Sequence, residues 1–124
     1  MSTPVQIGLT RMCAPLIVWA VHFVTVYSLQ GIACAQQVWR TRIAGLETVT
    51  WALWALTAVA LLLIAYEGLR ARRLHRAWRM HAEDGRAAPD RQRFIALLSL
   101  LVAIVAAVGV TFTVVPVALL PTCA

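Results

Sequence analysis

The chain has 124 residues, of which 61% are hydrophobic and 13% are charged, with a formal net charge of +6. A soluble domain of this length buries a modest apolar core and presents many more charges, so this composition excludes an ordinary soluble domain and is typical of a chain dissolved largely in lipid. All eleven basic residues are arginines, and they cluster beside the apolar segments. The charge therefore indicates contact with a membrane surface rather than with nucleic acid.

Three apolar runs, residues 14–35, 46–66 and 94–120, predict an all-α integral membrane fold with three transmembrane helices. Each run reaches the ~20 residues that cross a hydrocarbon core about 30 Å thick. Backbone groups in lipid must be paired within their own segment, and none of the runs alternates as a strand would, so helices are favoured. We expect the first run to be a retained helix, because it is long and interrupted for a cleaved signal peptide.

The first run carries polar and aromatic side chains that lipid does not favour. At about 100° per residue, five of them span about 80° of the helix circumference, so this stripe is expected to face a protein partner. The five are Trp19, Phe23, Tyr27, Gln30 and Cys34. His22 lies beside the stripe, ~12 Å inside the cytoplasmic end and level with Thr57.

His22 has three interpretations: helix packing, contact with a partner, or ligation of a metal or haem. One ligand does not make a site. His75 and His81 belong to the connection that follows the second run, too far away to meet His22. We therefore expect no haem held by two histidines of one chain, and no cofactor bound by this chain alone.

The connection between the second and third runs determines the predicted orientation. It contains eight arginines, and Arg11 lies on the same side of the membrane, whereas the opposite side has Arg40 and Arg42. The positive-inside rule places the arginine-rich side in the cytoplasm. The N-terminus is then cytoplasmic and the C-terminus periplasmic, in a bacterial inner membrane.

The arginine-rich segment is predicted to continue the second helix to about residue 83. Leu74, Ala77, Trp78 and His81 form one apolar stripe at helical spacing. We expect the arginines on the remaining surface to contact anionic lipid headgroups or an acidic partner, since no nucleic-acid motif accompanies them. These are Arg70, Arg72, Arg73, Arg76 and Arg79.

The third run contains small residues that favour close helix packing in lipid. They are Ser99, Ala103, Ala107 and Gly109. Pro116 predicts a kink or a helix end near the periplasmic boundary. Trp39, Trp51, Trp54 and Trp78 lie near the ends of apolar segments, where indoles anchor a protein at the membrane interface.

Two of the three cysteines, Cys34 and Cys123, are expected at the periplasmic end, and Cys13 at the cytoplasmic end. In an oxidising periplasm Cys34 and Cys123 could form a disulfide that ties the C-terminal tail to the first helix. The alternatives are two free thiols, or two thiolates that hold copper transiently.

The chain contains no catalytic triad, phosphate loop, pair of catalytic carboxylates or dinucleotide fingerprint, so we do not expect an enzyme. The stretch PLIVWAVHFVTVYSLQGIACA, with its Trp-x-x-His-Phe and final Ala-Cys-Ala, resembles the first helix of small three-span membrane proteins of unassigned function encoded near haem–copper oxidase genes in proteobacteria. The resemblance does not extend to the arginine-rich connection or the third run. It implies an accessory subunit of a respiratory oxidase, whose larger subunits would hold the haem and copper.

Two other functions stay open at this point. One is an assembly factor that handles copper or haem through Cys34, Cys123 and His22. The other is a homo-oligomeric channel or small transporter, for which His22 would be the polar residue near the middle of the membrane.

Overall fold

The computed structural model describes residues 8–37, 41–83 and 90–120, and about 90% of these residues are helical. The elements are α1 (Leu9–Gln36), β1 (Arg42–Ile43), β2 (Leu46–Glu47), α2 (Thr48–Glu83) and α3 (Asp90–Leu119). All three helices are long and apolar enough to cross a membrane. The predicted all-helical fold with three membrane-spanning segments is thereby confirmed, and the pattern is that of a multi-pass membrane protein.

The helices and the apolar runs differ at their ends. α1 begins at Leu9 and α3 at Asp90, each a few residues before the apolar run, because a helix can continue into the polar headgroup layer. Asp90 lies in the first turn of α3, where a carboxylate interacts favourably with the helix dipole. At the other end α3 continues past Pro116 and ends at Leu119, close to the predicted end.

A tight hairpin connects α1 to α2. Strands β1 and β2 are antiparallel, with Ile43 opposite Leu46. The two turn residues, Ala44 (φ 52°) and Gly45 (φ 85°), both have positive φ, as a two-residue type I′ turn requires. Glycine adopts this conformation without strain, whereas Ala44 does so at a cost of about 1–2 kcal/mol.

The hairpin is joined to the first turns of α2. The backbone N–H and the hydroxyl of Thr48 both donate to the carbonyl oxygen of Thr41, at 2.9 and 2.8 Å. Trp51 Nε1 donates to the carbonyl oxygen of Ile43 at 3.1 Å. Leu46 and Glu47 were predicted to start the second helix. They belong to β2 instead, because these hydrogen bonds fix the helix start at Thr48.

The buried residues of α2 and α3 lie mostly three or four residues apart, in strict alternation on α3. On α3 they are Gln92, Ala96, Ser99, Ala103, Ala106, Val110 and Thr113. On α2 they include Val49, Leu53, Thr57, Ala60, Ile64, Gly68, Ala71 and Trp78. The alternation of four and three keeps one seam of α3 against its neighbours. The four-four-three spacing of α2 from Val49 to Ala71 is close to the ~3.6 residues per turn of a straight helix.

The tryptophans divide into two groups. Trp51 and Trp54 are exposed, as interfacial anchors are. Trp78 was expected to anchor the chain at the headgroups, and this prediction is wrong, because the side chain is only 1% exposed. Trp78 lies seven residues after Ala71 and therefore on the buried seam of α2. Trp39 lies outside the described residues.

Candidate functional site

A buried hydrogen bond joins α1 to α2 near the middle of the membrane. His22 is 3% exposed and its Nε2 lies 3.1 Å from Thr57 Oγ1. Thr57 donates its hydroxyl proton to the carbonyl oxygen of Leu53 at 2.8 Å. A hydroxyl has one proton, so Nε2 of His22 must carry the proton of this bond and donate it to Thr57. The contact matches the depths of His22 and Thr57 that follow from counting residues along the two helices.

Two buried nitrogens of α1 lack a hydrogen-bond partner among the described residues. They are His22 Nδ1 and Trp19 Nε1. With the His22 proton on Nε2, Nδ1 of the neutral ring presents a lone pair, while Trp19 Nε1 presents a hydrogen. An unsatisfied buried polar atom costs about 1–3 kcal/mol, so Trp19 and His22 each lower the free energy of unfolding relative to a fully paired side chain.

Trp19 occupies a notch in α3 that a glycine creates. A Cβ atom added to Gly109 would lie 2.7 Å from Trp19 Nε1 and 3.0 Å from Cδ1, closer than real Cβ atoms come. The indole packs against a cluster that includes Ala60, Ala106 and Val110. Trp19, which we expected on a surface for a partner, is thus half-buried within its own chain.

Phe23 and Tyr27 continue the row of rings outward from Trp19. The ring centroids of Trp19 and Phe23 are 6.0 Å apart, and those of Phe23 and Tyr27 are 4.6 Å apart at an interplanar angle of 51°. Phe23 is 42% exposed and Tyr27 is 50% exposed. Gln30, one turn further, is half-buried. The predicted stripe therefore has a buried end at Trp19 and an exposed aromatic pair at Phe23 and Tyr27.

An ion pair joins α1 to α2 at the arginine-rich end. Arg11 Nη2 lies 3.1 Å from Glu67 Oε1, and the Glu67 side chain is only 16% exposed. The pair borders a small cavity between the three helices, which Pro15 and Ser99 also line. The sequence pattern does not predict this pair, because a run of apolar residues does not specify how helices are rotated.

The predicted packing residues of α3 lie at or beside the helix interfaces. Ser99 and Ala103 are buried, whereas Ala107 and Gly109 are partly buried. Ala106, which the sequence analysis did not single out, is 1% exposed. Positions four apart drift by about 40° per step around a helix, so the buried seam moves from Ala107 to Ala106. Where Gly68 of α2 faces α3, an added Cβ would lie 3.3 Å from Ala103 Cβ.

The arginines of α2 lie on its surface at the end remote from the hairpin. Arg72, Arg73, Arg76 and Arg79 are exposed, and Arg70 is half-buried beside the cavity at Glu67. The helix is continuous through this segment to Glu83. Contact of these side chains with lipid or with a partner stays a prediction.

The two cysteines of α1 differ in state. Cys34 is disulfide-bonded, and Cys13 is a half-buried free thiol. Cys123, the partner considered in the sequence analysis, lies outside the described residues. Gln37 closes the C-terminus of α1 beside the disulfide, because its Nε2 donates to the carbonyl oxygen of Cys34 at 3.0 Å.

Within residues 8–37, 41–83 and 90–120, no group of three or more His, Cys, Asp or Glu side chains is placed to hold a metal ion. No protein-family model, no curated protein and no solved structure matches this chain.

Proposed function

We propose that this protein is a non-catalytic accessory subunit of a larger complex in the bacterial inner membrane, a haem–copper terminal oxidase, and that it docks on the larger subunits through α1. The observation that carries the proposal is the exposed pair Phe23–Tyr27. Aromatic residues are enriched at the centres of protein interfaces, where they supply large contact areas at low cost in side-chain entropy.

The coverage of the helices supports docking through α1. In the apolar 18-residue stretch of each helix, 17% of the residues of α1 are buried within the chain, against 33% for α2 and 28% for α3. A helix surface that faces lipid alone needs only aliphatic side chains. The rings of Phe23 and Tyr27, in contact at a tilted angle, instead offer a preformed surface of defined shape, which suits packing against another protein in a membrane.

Two contacts among the described residues fix the rotation of α1 and so the direction in which the aromatic pair points. The Arg11–Glu67 ion pair holds one end, and the His22–Thr57 hydrogen bond holds the middle. The hydrogen bond contributes modest stability by itself, since such bonds between membrane helices average about 0.6 kcal/mol. Together they present Phe23 and Tyr27 in one orientation.

The choice of partner and compartment rests on the sequence. The resemblance of residues 15–35 to first helices encoded near oxidase genes supports a terminal oxidase, in which haem and copper belong to the larger subunits. The arginine count supports a cytoplasmic N-terminus, a periplasmic C-terminus and an arginine-rich end of α2 that emerges through the cytoplasmic headgroups. The disulfide of Cys34 agrees with this orientation, because disulfides persist in the oxidising periplasm.

The other two functions have less support. An assembly factor that carries copper through Cys34 needs a thiolate, and a disulfide-bonded cysteine offers none. A channel that uses His22 needs water to reach the imidazole, whereas this side chain is 3% exposed and hydrogen-bonded to Thr57.

The proposal is tested by co-purification from native membranes in a mild detergent. The variant Phe23→Leu/Tyr27→Leu removes the exposed rings of α1, and Phe94→Leu/Phe112→Leu removes two exposed rings of α3 as the matched control. We expect the first variant to insert normally but to lose the oxidase subunits and the haem absorption of the eluate, while the control retains both. Full retention in the α1 variant would refute docking through this pair, and an eluate without oxidase from the wild-type protein would refute the choice of partner.

A further inference from the structure

A positively charged groove of about 500 Å³ lies between α2 and α3 at the arginine-rich end. Its lining residues are Arg72, His75, Arg76, Arg79, Met80 and Leu100. Two contacts fix the helices beside the groove: His75 Nδ1 lies 3.4 Å from the carbonyl oxygen of Arg93, and Gly68 closely approaches Ala103. The groove therefore combines guanidinium groups with an apolar side chain from each helix.

The groove lies at the depth of lipid headgroups. Thr48 and Glu67 are separated by ~28 Å along α2, nearly the thickness of the hydrocarbon core, so Glu67 marks its boundary. Arg72 lies ~7 Å beyond Glu67, within the headgroup layer, and Arg76 one turn further. Side chains on a helix tilt toward its N-terminus, which on α2 is the membrane side, so the Arg76 guanidinium can reach back to the same layer.

Arg72 and Arg76 are charged groups without a counterion in the described part of the chain. Arg11 and Arg93 pair with Glu67 and Asp90, whereas no ion pair there involves Arg72 or Arg76. Residues four apart are neighbours on one helix surface. Two adjacent guanidinium groups offer the forked donors that bind phosphate oxygens in a bidentate manner.

We propose that this groove binds one anionic phospholipid, with the phosphate held between Arg72 and Arg76 and the start of an acyl chain over Leu100. The apolar lining by Leu100 and Met80 distinguishes a lipid from a free phosphate ion, because a soluble ion gains nothing from apolar contact. The site is independent of the oxidase proposal, since it uses α2 and α3 and leaves Phe23 and Tyr27 free.

The test uses the delipidated full chain in a non-ionic detergent, with bound lipid counted by native mass spectrometry. Dioleoylphosphatidylglycerol is the probe, and dioleoylphosphatidylcholine has the same acyl chains on a zwitterionic headgroup. The variant Arg72→Ala/Arg76→Ala removes two charges from the groove. The matched control Arg73→Ala/Arg91→Ala removes two exposed charges that do not line it.

We expect one tightly held phosphatidylglycerol per chain, weaker binding of phosphatidylcholine, and ~30-fold weaker phosphatidylglycerol binding in the groove variant, because each arginine near an anionic headgroup contributes roughly a factor of five. The control variant should lose less than about threefold, and Arg72→Lys/Arg76→Lys should fall in between, because lysine keeps the charge without the forked donors. Far-UV circular dichroism should show the same helix content in all variants.

Three results would overturn the proposal. Equal losses in the groove and control variants would indicate a diffuse electrostatic attraction rather than a site. Phosphatidylcholine bound as tightly as phosphatidylglycerol would assign the groove to acyl chains alone. Inorganic phosphate that displaces the lipid at the same concentration as a soluble glycerophosphate would identify a site for free phosphate, to which the acyl chain contributes nothing.

Discussion

The contact between α2 and α3 is built differently from the contacts that α1 makes with both. The α2–α3 contact uses small residues, and at Gly68 and Ala103 the helices approach so closely that an added Cβ would lie 3.3 Å from its neighbour. α1 also has apolar contacts, in a buried cluster formed by Val26, Ala33, Val49 and Leu53. Large and polar groups add to them: an indole over Gly109, an imidazole on Thr57 and a guanidinium on Glu67. Both interfaces therefore have van der Waals contact, and α1 adds three specific side-chain contacts.

This difference indicates that the two interfaces have different roles in the bundle. A continuous seam of small residues packs α2 and α3 together along their length, and α1 packs against this helix pair. The specific contacts of α1 fix its rotation while Phe23 and Tyr27 stay exposed, which is what a helix needs if one of its surfaces is to bind another protein. Substitutions in the two interfaces should therefore have unequal effects.

The largest effect is expected from Gly109→Ala. The new methyl group would lie 2.7 Å from Trp19 Nε1, so the indole must shift within a packed cluster. Overpacking of this kind costs about 1–3 kcal/mol, more than the better helix propensity of alanine returns. We expect the Gly109→Ala variant to reach its unfolding midpoint at a lower mole fraction of SDS in mixed micelles than the wild-type protein.

Two further variants test the reason for this loss. Trp19→Phe removes the indole N–H that lacks a partner and makes room for the methyl group, so Gly109→Ala/Trp19→Phe should recover most of the lost stability. Gly31→Ala is the matched control, because an added Cβ there meets nothing within 4 Å. It should be neutral or stabilising by up to about 1 kcal/mol. A destabilised Gly31→Ala would show that the notch at Gly109 is not the cause.

The next effect in size concerns the buried hydrogen bond. Thr57→Val removes the acceptor of His22 Nε2 and leaves both ring nitrogens unsatisfied, so we expect a loss of about 1–2 kcal/mol. His22→Leu leaves the Thr57 hydroxyl bonded to Leu53 and removes the unpaired Nδ1 together with the bonded Nε2, so its effect should stay within ~0.5 kcal/mol. The double variant should resemble His22→Leu. A larger loss for His22→Leu than for Thr57→Val would contradict the expectation that unpaired ring nitrogens determine the cost at this position.

Hydropathy predicted the three helices because length and composition decide what lipid accepts, and neither depends on how the helices pack. Rotation about the helix axis was harder to predict. A four-residue spacing leads from Ala103 to Ala107, whereas the buried seam of α3 passes through Ala106. The position of Trp78 near the end of an apolar segment predicts an interfacial anchor. Its spacing of seven residues from Ala71 instead places it on the buried seam of α2. The hairpin at Ala44 and Gly45 has no run of alternating residues that would reveal it.

The smallest effect is expected from Gly68→Ala, in the α2–α3 contact. The added methyl group would lie 3.3 Å from Ala103 Cβ, so the two helices must separate by a few tenths of an ångström. The helix propensity of alanine offsets this cost by roughly 1 kcal/mol, and we expect a net change within ~0.5 kcal/mol in the same unfolding experiment. Gly68→Ala/Ala103→Gly, which moves the methyl group across the interface, provides the comparison. A loss of stability larger than that of Gly109→Ala would mean that α2 and α3 cannot move apart to accept the methyl group. The α2–α3 interface would then be more sensitive to substitution than the contacts of α1.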